Sequence, residues 1–262
     1  MLADEELEVK DGEGVNLREA ILAAGYEGGK PDKVRPEIKR FVEMHIEQGG
    51  VLENTQKQIG IVRSIVGQWG GKIEFTGHQN HAGTTPMALR RDPMPVMIQY
   101  LQELFQWVKP YEDNTVLTIG KIDITPGSPN VIPDKISLTF DIRSRVPERG
   151  EESLEIIMAL KEKLEGKIGI QVYPAWDDAP VLLDQEGINS IEETVKELGY
   201  EYMIMDSGAG HDSQNMAKSY KTNMFFVPSV EGISHNEKEF TKPKDIEAGL
   251  NLMTAYIEKL AW

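Results

Sequence analysis

Cysteine is absent from all 262 residues, which excludes disulfides and thiolate metal sites together. A metal ion would have to be held by His, Asp or Glu, and histidine is scarce too, with five in the chain. Positive charge is in deficit: 28 Lys and Arg against 43 Asp and Glu leave a formal net charge of −15. Such self-repulsion favours solubility and argues against nucleic acid or an anionic membrane surface as a partner. No apolar run approaches the ~18 residues of a membrane span, and the acidic opening MLADEELEVKDGEG lacks the character of a signal peptide. A cytoplasmic protein is the expectation. Internal repeats and low-complexity tracts are missing as well. What is present is ordinary: 40% hydrophobic and 27% charged residues, enough chain to bury one large core or two smaller ones.

The acidic opening reads as a surface segment. Asn16, with Glu19 three residues on, makes a capping box for a helix in NLREAILAAGYEGG that stops at Gly25. RFVEMHIEQGG reads as a short strand-like or buried run ending on two glycines. From residue 71 the periodicities sharpen. KIEFTG alternates as a strand, and Met97, Leu101, Leu104, Phe105 and Val108 share one helical face. TVLTIGKIDI is a strand. In KISLTFDIRS, Ile136, Leu138, Phe140 and Ile142 point one way, and Lys135, Ser137, Thr139, Asp141 and Arg143 the other. A helix on Leu154, Ile157, Met158 and Leu164 follows, and IGIQVYP closes with a strand. The order is β-α-β-β-α-β, the ferredoxin-like arrangement. After the connector PAWDDAPVLLD come a helix on Ile188, Ile191, Val195 and Leu198 ending at Gly199, strand EYMIMD, turn SGAGHD and strand NMFFVPS. A terminal helix carries Ile246, Leu250, Met253, Ile257 and Leu260 on one face. The expected fold is therefore α/β: a ferredoxin-like module over 67–181 inserted into a layered domain made of 1–66 and 182–262. The first part, with one good helix, falls short of half a doubly wound sheet.

Few residues are placed for chemistry. His45, between Met and Ile, is either a buried hydrogen-bonded core residue or a metal ligand supported by Glu43 and Glu47. His235 follows a strand and a glycine, at the kind of crevice where α/β sheets bind ligands. Neither has a second ligand at H-E-x-x-H spacing, so a metal site would be assembled from distant segments. His78 and His81 lie in GHQNHAGTTPM. That loop is either solvated or brings an imidazole to donate to a developing oxyanion. Its small residues 82–85 permit close approach, and Thr85-Pro86 reads as a helix entry. Arg143 is solvated or salt-bridged, or else grips a carboxylate together with Asn130 of PGSPNVIPDK. In SGAGHDS, Gly208 and Gly210 offer backbone donors beside His211 and Asp212. The motif is not G-x-S-x-G, and Ser207, His211 and Asp212 are too close in sequence for a triad.

Taken together, FVEMHIEQGGVLE, GHQNHAGTTPMALRRDP, GSPNVIPDKISLTFDIRS, SGAGHDSQ and PSVEGISHNEKEFT resemble, in order, the allantoate amidohydrolases and N-carbamoyl-L-amino-acid hydrolases. These form the ureido-hydrolysing branch of the dinuclear zinc aminopeptidase-like enzymes. The resemblance implies a zinc-aminopeptidase-like α/β domain whose ferredoxin-like insertion is a lid and dimerisation domain. It implies that His45 and His235 bind a divalent metal, zinc or manganese, and that His81 stabilises the tetrahedral intermediate. Asn130 and Arg143 would hold the substrate carboxylate, and Gly208, Gly210 and, further out, His211 would line its pocket. His81, Asn130 and Arg143 are expected to come from the neighbouring protomer of a homodimer. The family's His-x-Asp motif, bridging Asp and Glu-Glu pair have no counterpart before His45, so a carboxy-terminal portion with an incomplete metal site is expected. The implied activity is hydrolysis of a linear amide or ureido C–N bond in a small carboxylate-bearing substrate, allantoate or an N-carbamoyl-L-amino acid. A dimerising carboxylate-binding fragment without turnover and a related dinuclear zinc peptidase are the alternatives.

Overall fold

The structure, a computed structural model, describes residues 7–26 and 35–261. The chain divides into two compact units, Met1–Lys39 and Arg40–Trp262. In the first, α1 (Leu17–Ala23) starts at the expected capping box. Asn16 Oδ1 accepts the Glu19 amide at 2.8 Å while Glu19 Oε2 accepts the Asn16 amide at 3.1 Å. Gly25, at φ 82°, follows the helix end. The first six residues of the acidic opening lie outside the described residues.

The second unit holds two main sheets and a two-stranded ribbon, Asn80–His81 with Val131–Ile132, among the described residues. The first is built from β1 (Arg40–Ile46), β2 (Ile59–Ile65, reached through the single turn α2, Val51–Asn54) and three strands from late in the chain. The second takes the stretch between them: β3 (Gly67–Thr76), β4 (Asn80–His81), α3 (Pro93–Val108), β5 (Val116–Thr125), β6 (Val131–Ile132), β7 (Lys135–Ser144), α4 (Glu148–Leu164) and β8 (Gly169–Asp178). The chain then adds β9 (Val181–Leu182), α5 (Gln185–Leu198), β10 (Tyr202–Ser207), α6 (Asp212–Met216), β11 (Lys221–Val227) and α7 (Pro243–Ala261).

The first sheet runs β1-β11-β2-β10, with β9 paired to β2. β1 lies parallel to β11 and β10 parallel to β2, whereas β11 and β2 are antiparallel. Ile59, Ile61, Val62 and Ile65 of β2 are buried, and so are Met224, Phe225, Phe226 and Val227 of β11. Ile188, Ile191 and Val195 of α5 and Leu252 and Tyr256 of α7 close this core. Terminal helix α7 does not bury the stripe its sequence suggests. Ile246, Leu250, Ile257 and Leu260 stay exposed, and Ala248, Gly249, Leu252 and Tyr256 turn inward. Gly249 sets this rotation: a Cβ there would stand 2.6 Å from Met44 Sδ and 2.7 Å from Val227 Cγ1, so only the glycine face approaches the sheet this closely.

The second sheet is antiparallel, in the order β5-β7-β3-β8. Its principal elements follow one another as β-α-β-β-α-β. Ile136, Leu138, Phe140 and Ile142 alternate inward as expected and share a core with α3 and α4. Three local readings change. α3 buries Tyr100, whose hydroxyl donates to the Ile157 carbonyl at 2.6 Å, and leaves Phe105 exposed. α4 buries Gly150, Ser153, Ile157 and Leu160 rather than Leu154 and Met158. Pro86 caps only a 3-10 turn, Met87–Leu89, and α3 starts later, where Asp92 accepts the Met94 amide at 3.0 Å. The connector PAWDDAPVLLD is partly sheet, because β8 continues to Asp178 and β9 follows. No helix among the described residues is long and apolar enough to cross a membrane.

Glu74, nearly buried on β3, accepts from Lys135 Nζ at 2.8 Å and from Lys72 Nζ at 2.9 Å. These bonds, Lys135 first, push its carboxyl down to about 2. A folded pKa below the unfolded value means stability that is fully present above the unfolded carboxyl range near 4.5 and lost as pH falls towards 2. Glu74→Gln is therefore expected to cost about 2 kcal/mol at pH 7 and to flatten that acid limb. Urea titrations across pH would show both effects.

Candidate active site

Alternation along β1 sends Met44 towards Gly249 of α7, so Glu43 and His45 emerge together on the opposite face. There they meet the start of α6. Glu43 Oε2 accepts the Ser213 amide at 2.9 Å and its hydroxyl at 2.6 Å. His211, the residue before α6, brings its ring centroid to 4.6 Å from that of His45. One possible ligand atom from each of Glu43, His45 and His211 lies within 4.8 Å of the others. His45 Nδ1 is 2.8 Å from the Ile46 carbonyl oxygen, so Nδ1–H donates there and Nε2 is the atom left for a ligand role. Burial pushes the His211 imidazole down to about 4, the charge of His45 adding to the shift and Glu43 and Asp212 opposing it. His211 is therefore neutral at pH 7, as a metal ligand must be.

Beside this cluster is a cavity of about 390 Å³ lined by Glu47, Gln48, Arg143, Gly208, Phe226 and His235, among others. Phe226 also packs edge-on to His45, with centroids 6.5 Å apart. His235 stands outside the three-donor cluster and adopts a left-handed φ of 54°. Its amide donates to Glu239 Oε2 at 3.0 Å. The Glu239 carboxyl is held below its ordinary range by the Ser234 hydroxyl first, then by the His235 amide, with the His235 and His45 charges adding. The two histidines thus act on one carboxylate. Glu47 is committed elsewhere, since its oxygens accept the Val51 and Leu52 amides at 2.7 and 2.9 Å.

Arg143 enters the cavity from the end of β7. Asp141 accepts from Nε at 2.9 Å and from Nη2 at 3.1 Å, and Nη1 donates to the Gly208 carbonyl at 3.1 Å. Gly208 thus contributes an acceptor, where its sequence context suggested a donor, and Gly210 lies just beyond the lining residue Ala209. Ser207 Oγ is 2.7 Å from His211 Nε2 but also bonds the Ala209 carbonyl, and Ser207 is buried. It holds the ring; it is not an exposed nucleophile.

His81 and Asn130 come together elsewhere. The ribbon β4-β6 pairs His81 with Val131, and the Ala82 amide donates to the Asn130 carbonyl at 3.0 Å. Asn130 Oδ1 accepts from Ser128 at 2.9 Å. This ribbon adjoins the end of the second sheet where Thr76 faces Lys135, whereas Arg143 faces Gln68 at the other end. Arg143 lies eight steps along β7 from Lys135, on the order of 27 Å at about 3.4 Å per step. Within one chain, then, His81 and Asn130 do not meet Arg143. The expectation that all three reach into a neighbouring protomer changes in one respect: Arg143 lies in its own chain's cleft.

A sequence profile of peptidase family M20/M25/M40 matches residues 2–259. The chain belongs to this family. Within the M20/M25/M40 peptidase family, it is similar to the allantoate amidohydrolase of Escherichia coli K12, 36% identical over 264 residues, covering 99% of this chain and 64% of the relative. It is also similar to the N-carbamoyl-L-amino-acid amidohydrolase of Paenarthrobacter aurescens, 33% identical over 270 residues, covering 99% and 65%. Among solved structures, an amidase of the hydantoinase/carbamoylase family from Burkholderia multivorans superposes with a TM-score of 0.82 at 31% identity, covering 97% of this chain and 62% of that one. The chain spans less than two thirds of the length of each.

Proposed function

We propose that this chain carries part of the active site of a metal-dependent hydrolase. It would cleave linear amide or ureido C–N bonds in carboxylate-bearing substrates, allantoate or an N-carbamoyl-L-amino acid. The observation behind this reading is the adjacency of two features: the Glu43, His45 and His211 cluster, and a cavity with Arg143 at its wall. The names of the similar proteins point the same way. Two imidazoles and one carboxylate match the three-protein-ligand pattern of catalytic zinc, and His45 already has Nε2 disengaged. Zinc or manganese bound there would supply Lewis-acid activation. His235, on the same cavity, is the candidate for a further ligand.

The remaining roles belong to the chain. Asp141 pins one edge of the Arg143 guanidinium, so Nη1 can exchange the Gly208 carbonyl for a substrate carboxylate. Asn130 would hold the same carboxylate, and Gly208 lines the pocket with Gly210 just beyond it. His81 donates to the developing oxyanion, an interaction worth about 3 kcal/mol of barrier. Because one chain keeps His81 and Asn130 remote from Arg143, we assign them to two protomers: Arg143 in cis, His81 and Asn130 from a second copy. The ferredoxin-like module, residues 67–181, then serves as lid and dimerisation domain, and 1–66 and 182–262 are assigned to the α/β domain.

The test is ammonia release from allantoate and from N-carbamoyl-L-amino acids by the zinc-loaded protein, followed by mixing of variants. His81→Ala and Arg143→Ala chains should each lose turnover by on the order of 100-fold alone and regain part of it when mixed, because half the sites of the mixed dimers are intact. Where the wild-type chain is active, inactive mixtures of folded variants would refute the shared site. A protein that binds zinc and substrate without turnover would instead support the reading as a carboxylate-binding dimer, which the single three-donor cluster among the described residues also allows.

A further inference from the structure

The loop that follows His81 is held by polar contacts rather than by packing. Met87 and Leu89 are each 73% exposed. Upstream the loop is anchored by the pairing of His81 with Val131, and downstream by the His78 amide, which donates to the Arg91 carbonyl at 2.8 Å. Between these anchors, one half-buried side chain spans the loop. Arg90 donates from Nε to the Thr85 carbonyl at 3.1 Å and from Nη2 to the Ala82 carbonyl. The carbonyls it gathers flank two amides with another task. Gly83 N–H and Thr84 N–H both donate to His81 Nδ1, at 3.0 and 3.1 Å.

Two donors aimed at Nδ1 leave no room for a proton there, so the neutral ring carries its hydrogen on Nε2. The contacts are close: a Cβ on Gly83 would stand 3.3 Å from His81 Cε1. The Ala82 carbonyl shares its peptide plane with the Gly83 amide, and the Thr84 amide lies on the short span between that plane and the tied Thr85 carbonyl, so the guanidinium restrains both amides and the amides fix the imidazole.

We propose that Arg90 is a positioning residue for His81. By tying the Ala82 and Thr85 carbonyls it holds the two intervening amides on Nδ1, and so presents Nε2–H as a fixed hydrogen-bond donor. Arg90 itself touches no reacting atom in this account. The inference rests on the reading of His81 as the oxyanion donor only for its consequence; the tautomer and its cause stand on the loop geometry.

The experiment uses the full chain with 15N-labelled histidine, recorded at about pH 8.5, above the ordinary imidazole range. His78, exposed on the same loop, is the internal control. The two ring-nitrogen shifts of His81 are expected to be more widely separated than those of His78, the signature of one locked tautomer. Arg90→Ala should collapse that separation to the His78 value, and Arg90→Lys, which keeps charge but loses the fork, should recover part of it. An Arg90→Ala spectrum identical to wild type would overturn the proposal, as would a wild-type His81 indistinguishable from His78. Should the spectra behave as expected while no substrate is turned over, the functional reading falls and the positioning role stands.

Discussion

Arg143→Ala is expected to weaken binding of allantoate or an N-carbamoyl-L-amino acid to the zinc-loaded protein by on the order of 100-fold, that is about 2–3 kcal/mol for a lost charge-assisted contact. Zinc affinity should hardly change, because the guanidinium belongs to the cavity wall and not to the three-donor cluster. Calorimetry with metal and with substrate separates the two effects. Arg143→Lys should recover only part of the loss, since an ammonium cannot engage Asp141 through two nitrogens and a substrate through a third. Equal substrate affinity in wild type and Arg143→Ala would remove Arg143 from the site.

The second large effect is on stability, with a sign opposite to what helix propensity alone gives. Gly187 lies in the first turn of α5, where Ala would ordinarily stabilise by up to about 1 kcal/mol. A Cβ at 187, however, would fall 1.9 Å from Asn223 Oδ1 and 2.3 Å from Arg40 Nη1. Those atoms belong to one network. Arg40 bonds Asp184 at 2.7 Å and also Asn223, Asp184 accepts the Gly187 amide at 2.8 Å, and Asn223 Nδ2 donates to the Asp184 carbonyl at 2.9 Å. Asn223 is fully buried, so displacing it strands polar groups away from water. Gly187→Ala should therefore cost about 3 kcal/mol or more, read as a fall in urea midpoint. A stabilised variant would show that the network can move aside.

Much of the fold could be read from the chain because its signals are local. Strand β7 has one face on a core and one facing outward, so its alternation is clean. The capping box at Asn16 and the left-handed Gly199 after α5 mark their helix ends by residue type. Strand β2 had no such signal. IGIVRSI is covered on both faces, and burial on both sides erases the period. Helix α7 carries two apolar stripes, and the choice between them lies in Gly249 against Met44 and Val227, a contact between remote segments. The site divides in the same way. His45 stood out by residue type, and Glu43, two residues away on a strand, had to share its face. That His211 joins them depends on how the turn after β10 folds back, which no local pattern records. The in-chain contact of Arg143 with Gly208 spans 65 residues and was equally invisible.

The central claim is that Glu43, His45 and His211 form a metal centre at the edge of the Arg143 cavity. Anomalous diffraction from crystals of the zinc-loaded protein, at the zinc absorption edge, tests it most directly. The account places the peak between the Glu43 carboxylate and the imidazoles of His45 and His211. A fully loaded crystal whose zinc sits elsewhere, with those three side chains unengaged, would contradict it.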